Sequence, residues 1–161
     1  MPEISALGWL HTALGVIALL SGAYTLTKYK EITARSTSGI VYLLATLITA
    51  LTALAIFQHG TFGPGHVLAV LTMLALLVGT IALTTKLFGK WSRYMCALGF
   101  TSTLLFHSIP AVTDGLLRLP VGNPVITSLN SPILLTCYAV LLVLYAIGIS
   151  LQMRWISRQG A

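Results

Sequence analysis

The sequence predicts an all-α integral membrane protein, a bundle of five transmembrane helices with the N-terminus outside and the C-terminus cytoplasmic. Three observations predict it. The 161 residues are 57% apolar and 7% charged, and their mean hydropathy is +0.93. A water-soluble domain of this size could not expose such a surface without aggregating. The apolar residues fall into five runs near the roughly 20 residues that cross about 30 Å of hydrocarbon. Lastly, the basic residues sit in the breaks between those runs. One transmembrane domain, 1–161, uses up the chain.

The first span covers 4–28, with Trp9 towards one end and Tyr24 and Tyr29 towards the other, where amphipathic rings prefer the membrane interface. It follows Met1-Pro2-Glu3 with no basic n-region and no small-residue cleavage site, so a retained helix is expected rather than a secretory signal. No lipidation signal is evident. A polar loop leads to Ser38, expected to cap the second span, 39–58. The glycine- and proline-rich break at 59–65 is a turn, and the third span is 66–85. The fourth is 92–109, where Pro110 removes an amide donor and is expected to kink or end the helix. Residues 111–119 could add a turn or two, and 120–131, with two prolines, a glycine and Asn130, is an outer loop. Pro132 suits the first turn of the fifth span, 132–153.

Five spans place Lys28, Lys30, Arg35, Lys86, Lys90, Arg93, Arg154 and Arg158 on one side and Arg118 alone on the other. Cationic loops stay cytoplasmic, which sets the orientation and the expected location, a cytoplasmic (inner) membrane. Because the cations are scattered singly, the net charge of +6 gives no clustered basic face for nucleic acid. The partner expected is the lipid bilayer, and so small a bundle also invites a homodimer or a partner membrane protein. Small residues four apart, Ala18 with Gly22 and Ala45 with Thr49 and Ala53, let helices approach closely. Cys96 and Cys137 start their spans at opposite ends, too far apart to bond. Tyr138 and Tyr145, seven apart, read as core aromatics.

The same topology puts all four histidines, His11, His59, His66 and His107, in the outer half of the membrane. At about 1.5 Å of rise per residue, His11 stands about 25 Å above Lys28 and His107 about 21 Å above Arg93. His59 and His66 come out about 30 Å above the inner ends of their spans. Asp114 would lie two turns beyond His107 on a similar face, with Arg118 four residues further on to pair with it. Imidazoles and a carboxylate converging near water suit a transition metal ion such as Zn, Cu or Fe, so His11, His66 and His107 are the expected ligands. Asp114 is then ligand or supporting base, and His59 a further candidate. An open coordination position on such a metal could lower the pKa of a bound water.

Simpler roles are available for each. His59 and His66 flank a wet turn and could be solvated. His11 and His107 are costly inside a span without a partner or a wet cavity, and Thr12, Ser108 or Thr113 could supply one. The pair could instead ligate haem b on both axial faces, as in an electron-transfer cytochrome. A structural or accessory subunit without cofactor is the third reading. With no nucleophile motif, phosphate loop, HExxH or CxxC in the chain, hydrolase and nucleotide chemistry have no support. The span count, without an inverted repeat, also argues against a complete secondary transporter.

The stretches His11-Thr12-Ala13-Leu14-Gly15 with Gly22, Gly39-Ile40-Val41-Tyr42, Phe62-Gly63-Pro64-Gly65-His66, and Pro110 to Asp114 with Arg118-Leu119-Pro120 carry a likeness. On these the chain resembles small bacterial multi-span membrane proteins of an uncharacterised family, a domain of unknown function. Where that family has a histidine–arginine pair before the second span, this chain reads Ala34-Arg35-Ser36-Thr37-Ser38. The resemblance implies a membrane bundle and selects the same outer side, at His11, His66, Asp114 and Arg118; it implies no activity.

Overall fold

The structure is a computed structural model that describes residues 4–57, 61–85 and 87–160. It contains α1 (Ala6–Tyr29), α2 (Thr37–Leu54), α3 (Pro64–Thr84), α4 (Ser92–Arg118) and α5 (Pro132–Arg158), with a short 3₁₀ turn at Gly89–Trp91 before α4. All five are long and apolar enough to cross a membrane, and no strand occurs among the described residues.

Local chemistry sets each boundary. Ser5 caps α1 by accepting from the Gly8 amide at 3.1 Å. At the far end Lys30 turns left-handed (φ 65°), and its amide closes on the Leu26 carbonyl. The cap of α2 is Ser36, two residues before the expected Ser38. Its hydroxyl stands three residues ahead of the Gly39 amide, the spacing a capping oxygen needs, and accepts from it at 3.1 Å. Ser38 is already in the helix and accepts from the Thr25 hydroxyl of α1 at 2.8 Å. The second helix ends at Leu54, four residues short of the expected 58. Pro64 opens α3 behind Gly63.

The largest departure from expectation is α4. It runs through Pro110 without a break and ends eight residues later at Arg118. Proline deletes one amide bond, which membrane helices tolerate when neighbouring hydroxyls brace the backbone. Here Ser108 donates to the Leu104 carbonyl at 2.8 Å and Thr113 to the Ile109 carbonyl at 2.7 Å, one on each side of the proline. The expected outer loop, 120–131, folds back on the helix end: the Ile126 amide donates to the Leu116 carbonyl and the Ile126 side chain is buried. Pro132 starts α5 as expected, but the helix continues five residues past 153.

Helix α4 is the hub. It packs on α1, α3 and α5, while α1 also packs on α2 and α2 on α3. Small residues bring the backbones together. A methyl on Gly99 would lie 2.7 Å from the Ala75 carbonyl oxygen and 2.9 Å from the Gly79 nitrogen, so α3 and α4 touch through backbone there. A methyl on Gly22 would meet the Tyr42 ring at 2.6 Å, and the Tyr42 hydroxyl reaches Thr103 and the Phe100 carbonyl on α4. Ala18, Tyr42, Ala45, Leu76 and Phe100 surround that contact as the core.

Helix α5 is held to α4 by a polar stripe with a seven-residue repeat. The Tyr138 hydroxyl bonds Thr113 at 2.6 Å, and Tyr145 bonds Ser102 at 2.7 Å. Gln152 accepts from the Thr101 hydroxyl at 2.9 Å and donates to the Lys30 carbonyl at 2.8 Å. The two tyrosines are thus interhelical ties rather than plain core aromatics. Both cysteines are free, Cys96 buried and Cys137 half-buried.

The ends of the bundle differ in charge. Arg93 at the start of α4 forks onto Glu31 in the first loop, with Nε 3.1 Å from Oε2, and stacks 5.1 Å over Trp155 near the end of α5. This fastens the first loop, the start of α4 and the end of α5 at one end, which carries Lys28, Lys30, Arg35, Lys90, Arg93, Arg154 and Arg158. Lys86 lies outside the described residues. Arg118 and Asp114 stand at the other end.

Candidate functional site

The histidines occupy that second end, where α1 begins, α2 finishes and α4 approaches its C-terminus. His11 projects from the second turn of α1 towards α2. Its Nδ1 lies 3.1 Å from the Thr49 carbonyl oxygen and 3.1 Å from the Thr52 hydroxyl. A carbonyl only accepts, so Nδ1 carries the hydrogen, and the lone pair of the neutral ring is left on Nε2. The Thr52 hydroxyl is free to accept because its own hydrogen is directed to the Ile48 or Thr49 carbonyl.

His107 stands on α4, which packs on α1. It is 8% exposed, and its Nε2 is buried without a partner. The Thr49 hydroxyl, beside the carbonyl that His11 holds, is likewise buried and unpaired. Buried polar groups normally have partners, yet His107 Nε2 and the Thr49 hydroxyl lack one, as does His66 Nε2. His11, His107 and Asp114 lie at the same end of the bundle, on α1 and α4, which pack on each other. No family model, curated protein or solved structure matches this chain.

The other sequence candidates divide. Far from being solvated, His66 is 5% exposed, with its ring 4.6 Å from that of Phe57 and 4.9 Å from that of Phe62. Its Nδ1 accepts from the Gly63 amide at 3.1 Å, closing the first turn of α3. That bond leaves Nε2 as an N–H, so the ring offers no lone pair unless the cap is released. Asp114 is 56% exposed and meets Arg118 at 3.9 Å, a loose pair. His59 lies outside the described residues. Among the described residues no group of three or more His, Cys, Asp or Glu stands together as a metal cage. The candidate site consists of His11 and His107 on the packed helices α1 and α4, with the Asp114 carboxylate two turns beyond His107.

Thr49 was named in the sequence only as a small packing residue and Thr52 not at all, and Thr12, Ser108 and Thr113 do not bond the histidines. Thr12 bonds the Gly8 carbonyl, Ser108 bonds its own helix, and Thr113 bonds its own helix and Tyr138 on α5. The missed signal was position: Thr49 and Thr52 lie near the end of the second span, at the depth of His11, and form one face of α2.

Proposed function

We propose that this chain is a multi-pass protein of a bacterial inner membrane, with its N-terminus outside, and that it binds a transition metal ion at the outward end through His11 and His107. Asp114 is the nearest carboxylate, available as an outer ligand or as a base for a bound water. The observation that carries the reading is the His11 tautomer. A metal-ligating histidine donates its second N–H to a carbonyl or carboxylate, which fixes the ring and raises the basicity of the ligating nitrogen; the His11–Thr49 bond has that form. The unpaired Nε2 of His107 supplies a second donor nitrogen, and neutral imidazoles suit Zn, Cu or Fe.

The cationic end of the bundle supports the orientation, since short basic loops remain cytoplasmic. Impermeant maleimide applied to whole cells should label Val121→Cys, at a position 90% exposed in the loop after α4, and spare Ser157→Cys, both in a background lacking Cys96 and Cys137. The reverse pattern overturns the orientation.

The number of imidazoles supports a second reading, because two, with no cage of three or more ligands among the described residues, would match the axial set of haem b. One preparation decides between them. Protein purified in mild detergent is scanned in the visible and analysed for metals by mass spectrometry. The metal site requires near-stoichiometric Zn, Cu or non-haem Fe without a Soret band, lost in His11→Ala and His107→Ala and kept in His66→Ala. A Soret band lost in the same two variants selects haem. Neither signal, from protein that stays folded, leaves a structural or accessory subunit whose histidines serve packing alone.

A further inference from the structure

Charge is unevenly satisfied at the cationic end. Among the described residues the acids are Glu31 and Asp114. Glu31 is taken by Arg93, and Asp114 stands at the far end beside Arg118. Lys28 is occupied by the Tyr24 hydroxyl at 2.8 Å, and Lys30 by the Thr27 carbonyl at 2.7 Å. Arg35, Lys90, Arg154 and Arg158 are exposed and form no ion pair within the described residues; of these, Arg154 and Arg158 stand one turn apart on the last turns of α5. Arg154 and Arg158 are thus available to an anion from outside the chain.

The two arginines line an open groove of about 530 Å³ between the start of α4 and the end of α5, together with Trp91, Tyr94, Met153 and Ser157. Its donors are two guanidinium forks, a serine hydroxyl, a phenol and an indole N–H, a set suited to a tetrahedral anion. Trp91 and Tyr94 stand 5.6 Å apart as a tilted pair, the amphipathic ring type found at headgroup depth. The neighbouring surface is apolar. Ile147 lies seven residues before Arg154, while Leu151 and Leu144 lie seven and fourteen before Arg158. Seven residues are close to two helical turns, so these side chains form a stripe leading away from the arginines, and they are 52%, 59% and 60% exposed.

We propose that this groove is a headgroup site for an anionic phospholipid. The phosphodiester sits between Arg154 and Arg158, and the acyl chains follow Leu144, Ile147 and Leu151 up α5. A free phosphate would use the arginines but leave the apolar stripe without a role. The site needs neither the histidines nor a particular orientation, so it stands if the metal reading fails.

The test is native mass spectrometry of the detergent-purified full chain titrated with phosphatidylglycerol or phosphatidylcholine. A saturable phosphatidylglycerol site is expected, with phosphatidylcholine at least tenfold weaker. Arg154→Gln or Arg158→Gln should weaken phosphatidylglycerol about fivefold, and the double variant about 30-fold, the effect of removing one or two cations near a lipid phosphate. Lys28→Gln, at the same end but outside the groove, should leave the affinity unchanged, and the Arg154→Lys and Arg158→Lys pair should retain most of it. Excess inorganic phosphate should not displace the lipid. Equal binding of both lipids, full affinity in the double Gln variant, an equal loss with Lys28→Gln, or displacement by inorganic phosphate would each overturn the proposal. If the double variant does not fold, the comparison of the two lipids on the unaltered chain still decides.

Discussion

Gln152 is the polar residue on which the docking of α5 most depends, and removing its amide tests how that helix is held. Gln152→Leu keeps nearly the same volume, so little cavity forms and the loss isolates the two hydrogen bonds, 2.9 Å from the Thr101 hydroxyl and 2.8 Å to the Lys30 carbonyl. Interhelical hydrogen bonds in membrane bundles average about 0.6 kcal/mol and reach about 1.7. Gln152 is 5% exposed and bonded at both ends of its amide, which places each bond above the average, at about 1 kcal/mol, and the pair at about 2 kcal/mol together. For a chain of this size that corresponds to a fall of about 4–8 °C in the unfolding midpoint. Thr101→Val removes one of the bonds and should cost about 1 kcal/mol. The two changes share that bond, so the double variant should lose about 2 kcal/mol rather than the sum of 3. The assay is thermal unfolding in one detergent, followed by circular dichroism for all four proteins. Strictly additive losses, or a Gln152→Leu midpoint within about 1 °C of the parent, would refute the claim that this amide clips α5 to α4 and to the first loop.

The closest helix contact gives a paired prediction: Gly99→Ala drives a methyl into the Ala75 and Gly79 backbone and should cost about 1–3 kcal/mol. Gly115→Ala, with nothing within 4 Å, should be neutral or stabilising by up to about 1 kcal/mol; the same melts compare them. Tyr42→Phe removes the buried hydroxyl that bonds Thr103 and the Phe100 carbonyl and should cost about 1–2 kcal/mol in chemical denaturation. Glu31→Gln breaks a fork whose side chains are 34% and 18% exposed. It should cost under about 1 kcal/mol, and the difference should shrink as salt is raised. Thr52→Val takes one of two acceptors from His11 while the Thr49 carbonyl still holds the tautomer. Metal or haem affinity should fall by no more than about tenfold, the low end for a supporting partner, whereas His11→Ala should abolish it; equilibrium dialysis or haem titration reads the difference.

Five elements were legible in the sequence because the hydropathy that drives a segment into lipid is a property of the segment alone. The gathering of cations at alternate breaks was legible for the same reason, and so was the placement of His11 and His107 towards the opposite end of the bundle, since helical rise converts residue number into depth. The rest depended on neighbours. Pro110 carries the local signal of a helix end, yet α4 continues to Arg118 because packing on three other helices favours the extended helix over a break at one missing amide. Serine at 38 looked like a cap because it adjoins the apolar run, but Ser36 has the reach to the Gly39 amide.

At the candidate site the division is sharper. Depth could be counted from the sequence; direction could not. Whether an imidazole at a given height points at a threonine carbonyl, an aromatic pair or a second histidine is set by helix rotation and crossing, which depend on small-residue contacts such as Gly22 against Tyr42 and Gly99 against Ala75. Thus His66, at the same end as His11, serves as a helix cap, and His11 turns its Nδ1 to Thr49. The amino-acid order by itself determined the number of helices, their apolar character and the end of the bundle at which each charge and histidine sits. Only the tertiary structure decided which lone pairs remain free and which arginines remain unpaired, because hydrogen bonds and ion pairs extend about 3 Å and join residues that helix packing, not sequence, makes neighbours.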